Sequence, residues 1–229
     1  MSNIGFRILG GIQRPEEEVV AGFLEARPPT PNVTDVMGRF GAVGRGMYPV
    51  NGDGVYLVGP ALTVKTHPSD NLMVHKALDL AEPGDVIVVD AGGDMTHAIL
   101  GELMCSYARR CGIAGAVVDG AVRDGASIRR MGYPVFARGL APRGPYKEGP
   151  GEINVPVSCG GVAVCPGDLI VGDGDGAVVV PRQSAAEVLD NATALQRQEE
   201  AITKKIAAGE WERAWVDETL LKKGCELGG

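Results

Sequence analysis

The stretch Asp119-Gly120-Ala121-Val122-Arg123-Asp124 puts an acid, a permanent cation and a second acid within six residues. It follows the apolar run Ala114-Gly115-Ala116-Val117-Val118, which reads as a buried strand, so the charges arrive at a strand end, where α/β proteins commonly hold ligands. Arginine keeps its proton at any physiological pH, and a carboxylate is a hard oxygen ligand for a divalent cation. The combination suits a small anionic substrate that is also held by a metal. Two plainer assignments stay open beside it. Arg123 can serve a structural ion pair with Asp119 or Asp124, and Asp124 can be the N-cap of a helix beginning near Gly125. A single carboxylate also needs waters, further acids or substrate to complete the roughly six positions around an ion such as magnesium.

Two other places carry comparable chemistry. Gly101-Glu102-Leu103-Met104 lies near a helix start, where free amide N–H groups and the positive helix terminus receive a carboxylate. Glu102 sits off the apolar stripe of that helix, so it is either a site residue or a first-turn acid complementing the helix dipole. In the C-terminal segment, Val188, Ala192, Leu195, Glu199, Ile202 and Ile206 recur at spacings of four and three, a seam that packs on a partner element. A carboxylate on such a seam is costly to bury unless it is paired or near a metal. Otherwise Glu199 reaches out to water.

Other chemistries find no support. His67, His75 and His97 form neither HxH nor HExxH, which disfavours a histidine-based zinc site, and His75 reads as a packed or surface histidine. No GxSxG elbow, Walker loop or GxGxxG fingerprint is present. Gly172-Asp173-Gly174-Asp175-Gly176 resembles a calcium loop, but no glutamate completes it and β runs flank it, so a hairpin turn is expected.

The elements that must position these groups alternate. Val55–Val58 and Ala61–Val64 read as strands, and Thr34-Asp35-Val36-Met37 as a capped helix start. Residues 71–81 read as a helix stopped by Pro83-Gly84, leading into the strand Val86–Asp90 with Gly92-Gly93-Asp94 after it. A second helix carries Leu100, Leu103, Met104, Tyr107, Ala108 and Cys111 at amphipathic spacing and ends with Arg109-Arg110 before Gly112. A third runs from about Gly125 to Arg129-Arg130 before Gly132, and the strand Val135–Ala137 follows. Residues 139–161 are rich in Gly and Pro and read as a long loop. Short β runs then lead to Pro181 and a long helix over about 184–208. The pattern predicts an α/β fold.

Composition bounds the rest. The 229 residues are 45% apolar and 22% charged, enough for a substantial core in one large domain or in one domain with an appended arm. With 22 Lys and Arg against 29 Asp and Glu, the net charge of −7 disfavours non-specific binding to nucleic acid or anionic membrane. No segment approaches a membrane span, no signal-peptide pattern opens the chain, and the five cysteines form no CxxC pair. Reduced thiols and a cytoplasmic protein are the expectation.

Asp90-Ala91-Gly92-Gly93-Asp94, Gly101-Glu102-Leu103, Asp119-Gly120 through Arg123-Asp124, Asn154-Val155-Pro156-Val157, Gly160-Gly161-Val162, Pro166-Gly167-Asp168 and Gly172-Asp173 through Pro181 occur in that order over roughly residues 55–205. Together they resemble the RraA-like family and, within it, the 4-hydroxy-4-methyl-2-oxoglutarate / 4-carboxy-4-hydroxy-2-oxoadipate aldolases. The resemblance implies a β/β/α layered sandwich over residues 1–182, a helical extension over 183–229 that packs on a neighbouring subunit, and a homo-oligomer, either a trimer or a hexamer. It also implies a class II pyruvate aldolase. Asp124 would ligate Mg²⁺ or Mn²⁺, and Arg123 would stabilise the pyruvate enolate. The backbone of Gly101, Glu102, Leu103 and Met104 would receive the carboxylate of a small 2-oxo acid, while Glu102 and a neighbour's Glu199 hold the surrounding waters. Oxaloacetate decarboxylation is the implied side activity. In the Gly/Pro-rich loop, Arg143 and Lys147 are either contacts for the distal carboxylate or ordinary residues of a mobile surface loop. The family also contains shorter, non-catalytic inhibitors of ribonuclease E without a long C-terminal helix, which makes a protein-binding regulator the alternative.

Overall fold

The computed structural model describes residues 3–44, 46–52 and 54–226. The chain opens with β1 (Phe6–Ile8), α1 (Glu17–Ala26), α2 (Thr30–Val36) and β2 (Tyr48–Pro49). The alternating centre is β3 (Leu57–Thr66), α3 (Leu72–Leu80), β4 (Val86–Leu100), α4 (Glu102–Arg110), β5 (Gly115–Val122), α5 (Gly125–Met131) and β6 (Val135–Leu140). Short strands β7 (Gly151–Ile153), β8 (Val157–Cys159) and β9 (Val162–Val164) precede the hairpin β10 (Leu169–Asp173) and β11 (Gly176–Val180). Two helices, α6 (Ala185–Ala208) and α7 (Ala214–Lys222), end the chain.

β3, β4, β5 and β6 pair in parallel, joined by α3, α4 and α5, and the sheet runs β1-β7-β3-β4-β5-β6-β2. β3 belongs to two sheets. Its first half, Leu57–Pro60, pairs antiparallel with β10, while Ala61–Lys65 pairs with β4. The two β runs expected at 55–64 are therefore one strand that changes sheets.

Strand alternation sorts the core into three layers of contact. Ile87, Val89, Val118 and Val122 meet Met73, Val74, Met104 and Cys105 of the helices. On the opposite face, Val86, Val88, Val117 and Phe136 meet Ile170 and Val179 of the hairpin. The outer face of the hairpin, Leu169, Val171, Val178 and Val180, is covered by Phe23, Val33 and Val188 of α1, α2 and α6. The layered α/β sandwich expected from the resemblance is present, with these three helices as a further layer.

Several local expectations are corrected. Thr34 does not start a helix: α2 begins at Thr30 with a proline in its first turn and ends at Val36. β4 does not stop at Asp90. It continues to Leu100 through three register breaks against β5, the first of which, between Asp90 and Asp94, lets Gly92-Gly93 bulge out without ending the strand. Leu100 is therefore a strand residue, and α4 buries Met104, Cys105 and Ala108, leaving Leu103 81% exposed and Tyr107 exposed. The 139–161 segment contains β7 and β8. The glycine caps at Gly112 and Gly132 adopt positive φ, of 76° and 66°. The Gly172–Gly176 segment is a hairpin turn, with Asp173 paired to Gly176.

Candidate active site at the strand ends

The C-terminal ends of β4 and β5 lie side by side, and each runs straight into a helix. The Arg123 N–H donates to the Leu100 carbonyl at 2.9 Å, which ties the two junctions together. Asp124 adopts a left-handed conformation (φ 59°, ψ 32°), and its carbonyl accepts the N–H groups of Ser127 and Ile128. Its backbone thus starts α5, while its carboxylate turns to the other helix and accepts the Glu102 N–H at 3.1 Å. As a side-chain cap, Asp124 serves α4 and not α5. The Arg123 Nε lies 3.7 Å from Asp124 Oδ2, a loose pair with both side chains about two-fifths exposed. Gly101 is required by this approach, since a methyl group there would lie 2.7 Å from Asp124 Oδ2 and 2.9 Å from Arg123 Cγ.

A pocket of about 170 Å³ opens at this junction. Gly101, Leu103, Met104, Arg123 and Asp124 line it, together with Asn71, His75 and Lys147. In the first turn of α4, the Glu102 N–H goes to Asp124 and the Cys105 N–H to the Gly101 carbonyl. Those of Leu103 and Met104, which line the pocket, have no carbonyl or side-chain partner among the described residues. The positive helix end, the guanidinium and the Lys147 ammonium make the pocket receptive to anions. It is flanked on one side by a cavity lined by Arg123, Asp124 and Leu140, and on the other by one lined by His75, Leu103 and Tyr107.

Two lining residues, Asn71 and His75, escaped the sequence reading as site residues. Asn71 is 3% exposed; its Nδ2 donates to the Ile99 carbonyl, and its Oδ1 has no partner among the described residues. The His75 pKa is lowered by burial and by the Lys147 ammonium, opposed by Asp79, so the neutral imidazole prevails near neutral pH. The signal was present: Asn71, the residue before α3, and His75 within it stand one helical turn apart. Lys147 lines the pocket, whereas Arg143 contributes its carbonyl to the Ala98 N–H.

The remaining sequence candidates lie elsewhere. Asp119, 6% exposed, forms an ion pair with Arg138 and accepts the Gly160 N–H at 2.7 Å. It anchors the β8–β9 side of the sheet and does not pair with Arg123. Asp94, within β4, is engaged by Ser69 and Thr96. The Glu102 side chain is exposed beside the pocket. Glu199 is not brought to the pocket within one chain; its Oε2 accepts the Asn32 Nδ2 at 2.6 Å. Among the described residues, no three His, Cys, Asp or Glu side chains converge as a preformed metal cage, and no helix is long and apolar enough to cross a membrane.

Residues 30–179 match the family model described as RraA-like, Aldolase/RraA. A protein of Halalkalibacterium halodurans is 44% identical over 179 residues, covering 78% of this chain and 85% of its own; its name, 4-hydroxy-4-methyl-2-oxoglutarate aldolase, is provisional. A solved but uncharacterized protein of Pseudomonas syringae pv. tomato superposes with a TM-score of 0.76 at 30% identity, covering 86% of this chain and 96% of that one. Streptomyces coelicolor RraAS2, described as an unusual member of the RNase ES inhibitor RraA family, superposes with a TM-score of 0.73 at 34% identity, covering 83% and 98%.

Proposed function

The chain belongs to the RraA-like family, and from that premise we propose that it is a carbon–carbon lyase. Its reaction is the retro-aldol cleavage of 4-hydroxy-4-methyl-2-oxoglutarate or 4-carboxy-4-hydroxy-2-oxoadipate to pyruvate and a second keto acid. The observation that carries this reading is the convergence of Arg123, Asp124 and the N-terminus of α4 on one anion-receptive pocket.

The residues divide the work. The substrate's carboxylate is received by the N–H groups of Leu103 and Met104 at the helix terminus. As the C3–C4 bond breaks, negative charge gathers on the oxygen of the departing pyruvate enolate. A fixed guanidinium at that oxygen stabilises the charge without any proton transfer, and Arg123 is placed for that role. Glu102, with Glu199 from a neighbouring subunit, holds water that takes and returns the proton. Lys147, His75 and Asn71, which line the same pocket, receive the second keto acid.

A divalent ion, Mg²⁺ or Mn²⁺, fits the donors present. Asp124 is partly exposed and engaged only through Oδ2 among the described residues, and magnesium is usually held by one or two carboxylates with waters completing its shell. When bound, the ion supplies Lewis-acid polarisation of the keto oxygen. The test couples pyruvate release from oxaloacetate and from each aldol to a dehydrogenase, with and without EDTA. Pyruvate production that EDTA abolishes and added Mg²⁺ restores is expected, and EDTA-insensitive production removes the metal from the proposal. No pyruvate from any 2-oxo acid would favour the protein-binding alternative, for which the likeness to RraAS2 is the supporting observation.

A further inference from the structure

We propose that Asp70 is a positioning residue that fixes the Lys147 end of the pocket. Asp70 is 2% exposed, yet no cation pairs with its carboxylate among the described residues. Its partners are three backbone N–H groups from two separate segments. Oδ1 accepts from Leu72 at 2.9 Å, and Oδ2 accepts from Glu148 at 2.6 Å and Gly149 at 3.0 Å. Leu72 opens α3, the helix of the pocket-lining His75, and follows directly on Asn71. Glu148 and Gly149 immediately follow Lys147.

One side chain therefore clamps the helix start to the loop across 78 residues of sequence. The backbone supports the same clamp: Tyr146 donates to the Ser69 carbonyl at 2.8 Å, Asn71 donates to the Tyr146 carbonyl at 3.1 Å, and Thr66 Oγ1 holds the Asp70 carbonyl. A buried carboxylate accepting several amides is strongly committed to that geometry, because losing it strands both charge and donors. The 141–149 segment otherwise lacks strand or helix of its own, so beyond the Tyr146 bonds the placement of Lys147 depends on this anchor. The chemistry it serves is recognition of an anionic group on the half of the substrate that does not become pyruvate.

This inference rests on reading the pocket as a 2-oxo acid site, and the experiment separates the two. Amide hydrogen exchange of the unliganded wild type comes first. Protection of the Glu148 and Gly149 amides is expected, and exchange at the rate of a free loop would overturn the clamp whatever the protein's activity. Asp70→Asn should then speed exchange in the 143–150 segment while α4 and β5 stay protected.

In kinetics, Asp70→Asn is expected to raise KM for the aldol substrate about tenfold with kcat changed less than threefold. Inhibition by pyruvate, which lacks the distal group, should be unchanged. Lys147→Ala should reproduce the KM effect without the exchange effect, and the double variant should be no worse than Lys147→Ala alone, since the two act through one contact. Equal losses in KM and in pyruvate inhibition, or additive effects in the double variant, would overturn the assignment. A wild type inactive on every 2-oxo acid refutes the functional reading, while the exchange data still decide the clamp.

Discussion

Arg123 and Asp124 adjoin in sequence but are used differently, and the difference predicts what each can lose. Asp124 starts one helix with its carbonyl and caps another with its carboxylate, so it is structural as well as chemical. The Arg123 side chain is 42% exposed and makes only a loose pair with Asp124. Little stability depends on it. Arg123→Ala should therefore remain folded by circular dichroism and keep its sedimentation behaviour, while kcat for pyruvate release falls by about 10²–10³, the usual cost of removing one charge-stabilising donor. A near wild-type rate would remove Arg123 from the chemistry. Both residues were legible in the sequence because they follow a buried strand. Asp119, open in the sequence as an ion-pair partner of Arg123, goes elsewhere, and strand alternation already pointed that way. Val117 and Asp119 share a face, and Val117 packs between the sheets, so Asp119 is delivered to Arg138 and Gly160 on that side.

At the scale of elements, the sequence located α3, α4, α5 and the β10–β11 hairpin within a residue or two, because apolar periodicity and glycine caps mark their ends. It misjudged β4, where three register breaks over residues 90–100 defeat any period-two pattern. That irregular stretch is held by Asp94, which accepts Ser69 Oγ at 2.6 Å and Thr96 Oγ1 at 2.7 Å. Partial burial pushes the Asp94 pKa up, but these hydrogen bonds outweigh it and hold the carboxyl at about 2, below its ordinary 3.8. A depressed folded-state value means stability that is present above about pH 4 and lost as pH falls through about 2. Asp94→Asn should accordingly lower the unfolding free energy by about 1 kcal/mol at pH 7, a modest figure because the carboxylate is only partly buried. Urea denaturation at pH 7, 4 and 2.5 should show the difference from wild type narrowing toward the acid end. A gap of constant size across that range would exclude the charge of Asp94 as its source.

For the whole molecule, the open question is what completes the pocket. The root of α6 is part of the core through Ala185, Val188 and Ala192, but Ile202 and Ile206 further along are exposed, as are Trp211, Trp215 and Leu221 on the arm beyond. Leu103, Tyr107 and Leu140 are exposed around the pocket. Apolar surface of this extent commonly marks contact with another chain, and the proposed mechanism requires a neighbour's Glu199. The periodicity of α6 made its seam legible, but a seam does not say which chain it faces. Glu199→Ala alone should lower turnover, and an unchanged rate would leave Glu199 as the partner of Asn32 and nothing more. The sharper test mixes two impaired variants. If Arg123 and Glu199 of one site come from different subunits, a site pairing the Glu199→Ala chain's Arg123 with the Arg123→Ala chain's Glu199 is intact. Random assembly of equal amounts in a closed ring makes about a quarter of the sites native. Co-expressed Arg123→Ala and Glu199→Ala chains should therefore regain about a quarter of wild-type turnover, measured by pyruvate release, whereas the separately purified variants mixed without subunit exchange should not. Failure to recover activity in verified hetero-oligomers would place both residues' effects within one subunit and remove the shared site.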